Sequence, residues 1–166
     1  IFRVVEELRN LTGIGLCRAE NLVEATQNAD VFVEVSGLLK ACAVTLAKVA
    51  GDLRLLASGP DAGIGELTLP PLQEGSSLMP GKVNPVVPEA VTQAAMVVVG
   101  HDATITWAVA SGNLELNAFL PVIADALLSA IGLLSRACRM LRARCVEGLV
   151  ANAERCRAQV EGATAL

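Results

Sequence analysis

Lys82 is the only Lys or Arg between Arg54 and Arg136, a span that also holds Asp61, Glu66, Glu74, Glu89, Asp102, Glu115 and Asp125. The stretch around it, GSSLMPGKVNP at residues 75–85, supplies hydroxyls at Ser76 and Ser77, an amide at Asn84, and backbone N–H groups left open by Gly75 and Gly81. Most lysines are solvated surface residues, and that reading stays open for Lys82. In this company, just ahead of an expected helix N-terminus, the same residues also form an arrangement able to receive an anion. Nucleotide phosphate is a poor fit, because the phosphate loop requires G-x-x-x-x-G-K-[ST] after a strand. Here five residues separate Gly75 from Gly81, Val83 follows the lysine, and Pro80 removes an amide donor.

The elements that must position this loop read as long helices. Ile1, Val4, Val5, Leu8 and Leu11 make a helical stripe that Thr12-Gly13 ends. From Asn28 the apolar spacing alternates fours and threes through Val31, Val35, Leu38, Cys42, Thr45, Val49, Leu53 and Leu56, a seam suited to a partner helix. Ser58-Gly59-Pro60 stops it. A further helix should start near Pro85–Pro88, where proline is tolerated in a first turn and Glu89 suits the positive end of the dipole. Leu116, Leu120, Ile123, Leu127, Ala130, Leu134, Ala137 and Leu141 repeat the spacing in a third, with Pro121 inside its first turns. The expected layout is a helix tail and connector over 1–27, long helices over 28–57, 86–112 and 113–148, a connector with the loop over 58–85, and the start of another helix over 149–166.

Composition points the same way. Apolar residues make up 53% of the 166 and aromatics only 2%, with a mean hydropathy of +0.53. Leu, Val, Ala and Ile filling of this kind predicts an all-α, long-helix bundle. Helices apolar on most of their circumference must be surrounded, and three cannot surround one another, so further helices from a longer chain or from a homo-oligomer are expected. Asp102, Glu115, Asp125 and Arg136 are expected to interrupt every candidate membrane span. The chain opens at Ile1 without a visible targeting peptide and reads as a piece of something longer. Five scattered cysteines, Cys17, Cys42, Cys138, Cys145 and Cys156, with no C-x-x-C pair, predict reduced, buried thiols and a cytoplasmic setting rather than disulfides or zinc. A net charge of −4 and a pI near 5.0 argue against nucleic acid and anionic membranes as partners. No cofactor and no metal are called for.

Residues 75–85 resemble the GSSxMPxKxNP signature of the aspartase/fumarase superfamily. NLVEATQNAD, DLRLLASGP, GNLELN and VEGLVANAERC are similar to its members in the same order, so the resemblance covers essentially the whole chain. PVVPEAVTQ resembles the ammonia-lyase branch, while SGNLELN leans toward class II fumarases. The resemblance implies part of a central helical domain, with an N-terminal domain and a small C-terminal domain outside this chain. It implies a tetramer whose sites draw on three subunits, so that this piece alone should be inactive.

The implied reaction is elimination: removal of ammonia from L-aspartate to give fumarate, or, as the alternative, dehydration of malate. The implied substrate is therefore a small dicarboxylate or amino acid. By resemblance Ser76 is the base acting as an alkoxide, and Ser77, Lys82 and Asn84 correspond to substrate binders. Glu89 corresponds to a glutamate paired with a histidine from another part of the chain, although a helix-start acid needs no such role. Met79 and Pro80 would shape the loop, and Gly75 and Gly81 would serve as its hinges. Two positions depart from the family pattern: Asp61 stands where arginine is common after Ser-Gly-Pro, and His101, the only histidine, where asparagine is usual. His101 reads as a core-edge residue. Arg136, Arg139, Arg142 and Arg144 read as complementing a helix C-terminus and pairing with Glu147. A non-catalytic helical scaffold would not need Ser76, Lys82 and Asn84 together.

Overall fold

A computed structural model describes residues 2–73, 75, 78, 79 and 81–163. Among these the chain forms α1 (Phe2–Thr12), α2 (Leu22–Gln27), α3 (Asp30–Leu56), β1 (Leu67–Thr68), α4 (Val86–Ala110), α5 (Leu120–Arg144), β2 (Val150–Ala151) and α6 (Ala153–Glu161). The fold is all-α, and among the described residues the only sheet is the antiparallel pair β1–β2, with Leu67 opposite Ala151 and Thr68 opposite Val150.

Helix α4 is the centre. It packs against both α3 and α5, which touch each other far less. The core runs along it in three layers. Ala29, Ile105, Ala108, Ile123 and Ala126 fill one end, Ala43, Ala95, Val98, Ala130 and Leu134 the middle, and Ala50, Val91, Ala94, Ala137 and Leu141 the other end. The start of α3 thus meets the end of α4 and the start of α5, so neighbouring helices run antiparallel. Alanine at so many contacts lets the helix backbones approach closely.

The buried stripe of α5 follows the expected spacing at Ile123, Ala130, Leu134, Ala137 and Leu141. On α3 most of the expected seam does not face its neighbour: Val31, Val35, Leu38, Cys42, Thr45 and Val49 are exposed, Leu53 packs on the core and Leu56 is half-buried, and Ser36, Ala43 and Ala50 are buried instead. The helix carries two apolar stripes, and the inner one sets the small residues Ser36, Ala43 and Ala50 at the closest approach, with Phe32, Leu39, Leu46 and Leu53 packed beside them against the core.

The expected helix over 113–148 begins later, at Leu120. Asn113 and Leu116 exchange backbone hydrogen bonds of 2.9 and 3.1 Å, and Leu114 takes a left-handed φ of 50°. Buried Asn117 donates to the carbonyls of Ala108 and Val109 and accepts the N–H of Phe119 at 2.8 Å, closing one helix and opening the next. Pro121 then falls in the first turn of α5, where its missing N–H costs nothing. Residues 149–151 are not helical either: Val150 and Ala151 pair with β1, and α6 starts at Ala153 behind its Asn152 cap.

Two further expectations are corrected. The segment Leu120–Gly148, with a mean hydropathy of 1.5 over its most apolar window, is long and apolar enough to cross a membrane by length and composition, because residues 126–135 carry no charge. A core helix passes the same test, and the inner stripe of α5 is spent on α4. The five thiols are free, yet only Cys145 is buried; Cys156 is half-buried, and Cys17, Cys42 and Cys138 are exposed on faces that none of the described residues covers.

The accessible surface is 11508 Å² for 17.2 kDa. A self-contained monomer of that mass exposes about 7,800 Å². The excess is apolar in large part: Leu38, Met96, Trp107, Leu128 and Leu116 are each more than 60% exposed.

Candidate active site

The loop at 75–85 is held by its own backbone. Asn84 N–H reaches the carbonyl of Gln73 at 3.4 Å, and Gly75 N–H donates to the carbonyl of Lys82 at 2.6 Å, so the incoming and outgoing arms run side by side. Lys82 N–H in turn donates to the Met79 carbonyl at 3.1 Å. A Cβ on Gly75 would lie 2.7 Å from the Lys82 oxygen and 2.8 Å from its Cβ, closer than real side chains come. Gly81 turns the tip with a φ of +81°, a conformation that costs an L side chain about 1–2 kcal/mol.

Of the expected site residues, Ser76, Ser77 and Pro80 lie outside the described residues. Lys82 and Met79 are exposed, and Asn84 is half-buried. Among the described residues no carboxylate pairs with Lys82. The Asn84 carbonyl accepts Val86 N–H at 2.9 Å, turning the loop straight into α4, whose N-cap Pro85 offers no side-chain hydrogen bond. The positive end of the α4 dipole and the Lys82 ammonium thus belong to one short stretch of chain. Glu89 sits in the first turn of α4, and its Oε1 lies 3.8 Å from Nη2 of Arg54 in the last turn of α3, with both side chains partly exposed. Such a pair adds little stability, about 1 kcal/mol at most.

Below the loop the incoming arm is tied to the far end of the chain. β1 pairs with β2, Leu69 packs on the core layer of Ala50, Val91 and Leu141, and Pro70 lies against Gly148, where a Cβ would come within 2.7 Å of it. Arg142 meets Glu147 at 3.3 Å in the turn that leads to β2, and the basic run of α5 is exposed. His101 is half-buried in mid-α4.

One polar cluster was not singled out by the sequence reading. Asp102 on α4 accepts the Ser36 hydroxyl at 2.7 Å and the Lys40 ammonium at 2.6 Å, both from α3. Burial pushes the Asp102 carboxyl up; the hydrogen bonds from Lys40 and Ser36, with the Lys40 charge, outweigh it and hold it below its ordinary value. The signal was a lone acid inside a helix apolar on nearly every side. At Cys145, burial alone pushes the thiol up.

Long antiparallel helices with a folded-back, glycine-pinned loop at the start of the central one define a class. The family described as Lyase matches residues 2–100, and the chain belongs to it, within the aspartase/fumarase superfamily. Aspartate ammonia-lyase of Pseudomonas aeruginosa is 52% identical over 157 residues, 95% of this chain and 33% of that protein. A solved structure described as fumarate lyase:delta crystallin from Brucella melitensis superposes with a TM-score of 0.92 at 52% identity, over 97% of this chain and 37% of that one. The class II fumarase of Schistosoma mansoni superposes with a TM-score of 0.84 at 32% identity, over 96% of this chain and 36% of that one. The chain spans about a third of the length of the curated relatives it matches.

Proposed function

We propose that this chain is the central part of an aspartate ammonia-lyase, which converts L-aspartate to fumarate and ammonia. The carrying observation is the folded-back loop that sets Lys82 and Asn84 immediately ahead of the uncapped start of α4. In this reading Ser76 Oγ, as an alkoxide, takes a proton from the carbon beside the side-chain carboxylate. The released electron pair spreads into that carboxylate, then forms the C=C bond as the C–N bond breaks and ammonia leaves. Lys82, Asn84 and Ser77 hold carboxylate oxygens, and the lysine offsets charge that grows on the way to the intermediate, which lowers the barrier more than it tightens substrate binding. Glycines at 75 and 81 let the loop close and exclude water.

Dehydration of malate is the second reading, favoured by the superposition on a class II fumarase. The fumarase-like GNLELN stretch weighs little toward it, since Asn117 has a structural task there. Assay of the full-length protein with L-aspartate and with malate separates the two. Ser76→Ala in the assembled enzyme tests the base: turnover near the parent's would eliminate it.

The excess surface supports assembly. Val44, Ala47, Thr92, Ala95, Met96 and Val99 line an open apolar groove of about 320 Å³ between α3 and α4. A homotetramer, with helices of other copies completing the bundle, would cover it. Free thiols, three of them exposed, fit a reducing cytoplasmic setting.

A further inference from the structure

Residues 58–66 form a tight turn that glycine makes possible. The Ser58 hydroxyl donates to the Leu55 carbonyl at 2.5 Å and accepts the Ile64 N–H at 3.1 Å, while Glu66 N–H donates to the Leu56 carbonyl at 2.9 Å. A Cβ on Gly63 would fall 2.3 Å from the Ser58 carbonyl. Two carbonyls of this turn, Gly63 and Ile64, point away from it. Arg155 of α6 takes both: Nη2 donates to Gly63 at 2.6 Å and Nε to Ile64 at 2.8 Å, across more than ninety residues of chain. Gln159 Nε2, one helical turn on, adds a bond to the Ile64 carbonyl at 3.2 Å. Gly65, at a φ of +64°, leaves room for the guanidinium; a Cβ there would lie 3.4 Å from Nε.

This fork fixes the start of a short, continuous path. From Ile64 the chain passes to Glu66, whose carbonyl accepts the Asn152 N–H at 2.8 Å, then through β1 and Pro70 to Gln73, which meets Asn84. The outgoing arm is set by α4, whereas the incoming arm is held by β1–β2, Leu69 and Pro70 and begins at this tie. A planar fork satisfying two carbonyls at once is a geometry that lysine cannot reproduce.

We propose that Arg155 is a positioning residue for the 75–85 loop: by locking Gly63 and Ile64 it sets the register of the incoming arm against Asn84. What the loop then does rests on the lyase reading above; the tie itself does not.

The test uses the full-length protein with Arg155→Met and Arg155→Lys. In Arg155→Met the amides of Ile64, Glu66 and Lys82 should exchange with solvent about tenfold faster or more, with core amides of α4 unchanged. With aspartate, kcat should fall roughly 10- to 100-fold, as expected of a loop displaced by about an ångström, while KM moves by less than about threefold. Arg155→Lys, able to reach one carbonyl, should recover part of both effects, and it carries the same test if the methionine variant does not assemble. Parent-like exchange at Ile64 and Glu66 would overturn the tie, and faster exchange there with parent-like kcat and Lys82 exchange would overturn its hold on the loop. A parent protein inactive on aspartate and malate would defeat the lyase reading alone, leaving the exchange at Lys82 to decide this one.

Discussion

Gly75 N–H lies 2.6 Å from the carbonyl oxygen of Lys82, and a Cβ on Gly75 would meet that same oxygen at 2.7 Å. The obstructing atom is backbone, so it cannot swing aside as a side chain would. Gly75→Ala must therefore open the neck of the loop. If the loop places the reacting groups, kcat should drop by about a hundredfold with the helical circular dichroism of the parent. Gly81→Ala meets open space and only a positive φ, so its loss should be milder, about tenfold. Equal, small effects from both would mean that the neck geometry does not matter.

Asp102 joins α4 to α3 through Ser36 and Lys40, and its carboxyl is held below the ordinary value of 3.8. A depressed folded-state pKa contributes stability that is fully present above the unfolded value and is lost as pH falls through the folded one. Acid denaturation should therefore draw in part on this cluster below about pH 4. Asp102→Ala strands a buried hydroxyl and a half-buried ammonium, and should cost about 3 kcal/mol at pH 7, with a shallower loss of stability on acidification than the parent. Urea melts across pH 3 to 7 measure both slopes, and parallel curves would remove Asp102 from the account.

How much of this could be read in the sequence depended on the range of the forces involved. The stripe on α5 was legible, because large apolar residues at helical spacing leave few choices of face. On α3 the same rule chose the exposed stripe, since the helix is apolar on two sides and the inner one, with Leu39, Leu46 and Leu53 beside Ser36, Ala43 and Ala50, has an equally helical spacing. The turn at 113–119 was invisible because Asn117, a side chain with no local breaker signal, catches the carbonyls of Ala108 and Val109. Arg155 bonds more than ninety residues away, beyond any spacing rule. The loop was legible through its glycines, and Gly75 proved to need its missing Cβ for closeness rather than for φ. Whether the hydroxyls of Ser76 and Ser77 face Lys82 falls outside the described residues.

Trp107, the one tryptophan in these 166 residues, is 74% exposed on the outer face of α4. If copies of the protein complete the bundle, that indole is covered in the assembled protein and wet in the dissociated one. Its emission should shift to longer wavelength as the oligomer is diluted or dissociated with mild urea. Met96→Glu with Val99→Glu, placing charges in the apolar groove between α3 and α4, should shift the sedimenting species toward monomer and produce the same red shift without denaturant. A red-shifted Trp107 in a fully assembled parent would show that this face stays open to water.

Lys82 carries the sharpest expectation: no other Lys or Arg lies between Arg54 and Arg136, and among the described residues no carboxylate pairs with it. A lysine that serves mainly to keep a surface loop solvated can be exchanged for methionine with little effect on rate. A lysine that meets growing negative charge cannot, since the methionine keeps the stem and removes the stabilisation that matters most at the barrier. Lys82→Met in the full-length enzyme should therefore lower kcat by about a hundredfold or more, with a smaller change in KM. Lys82→Arg should fall between the two, because it restores charge in a different shape. Parent-like kcat for Lys82→Met, with the oligomer intact, would return this residue to the solvated surface and take the anion-receiving loop with it.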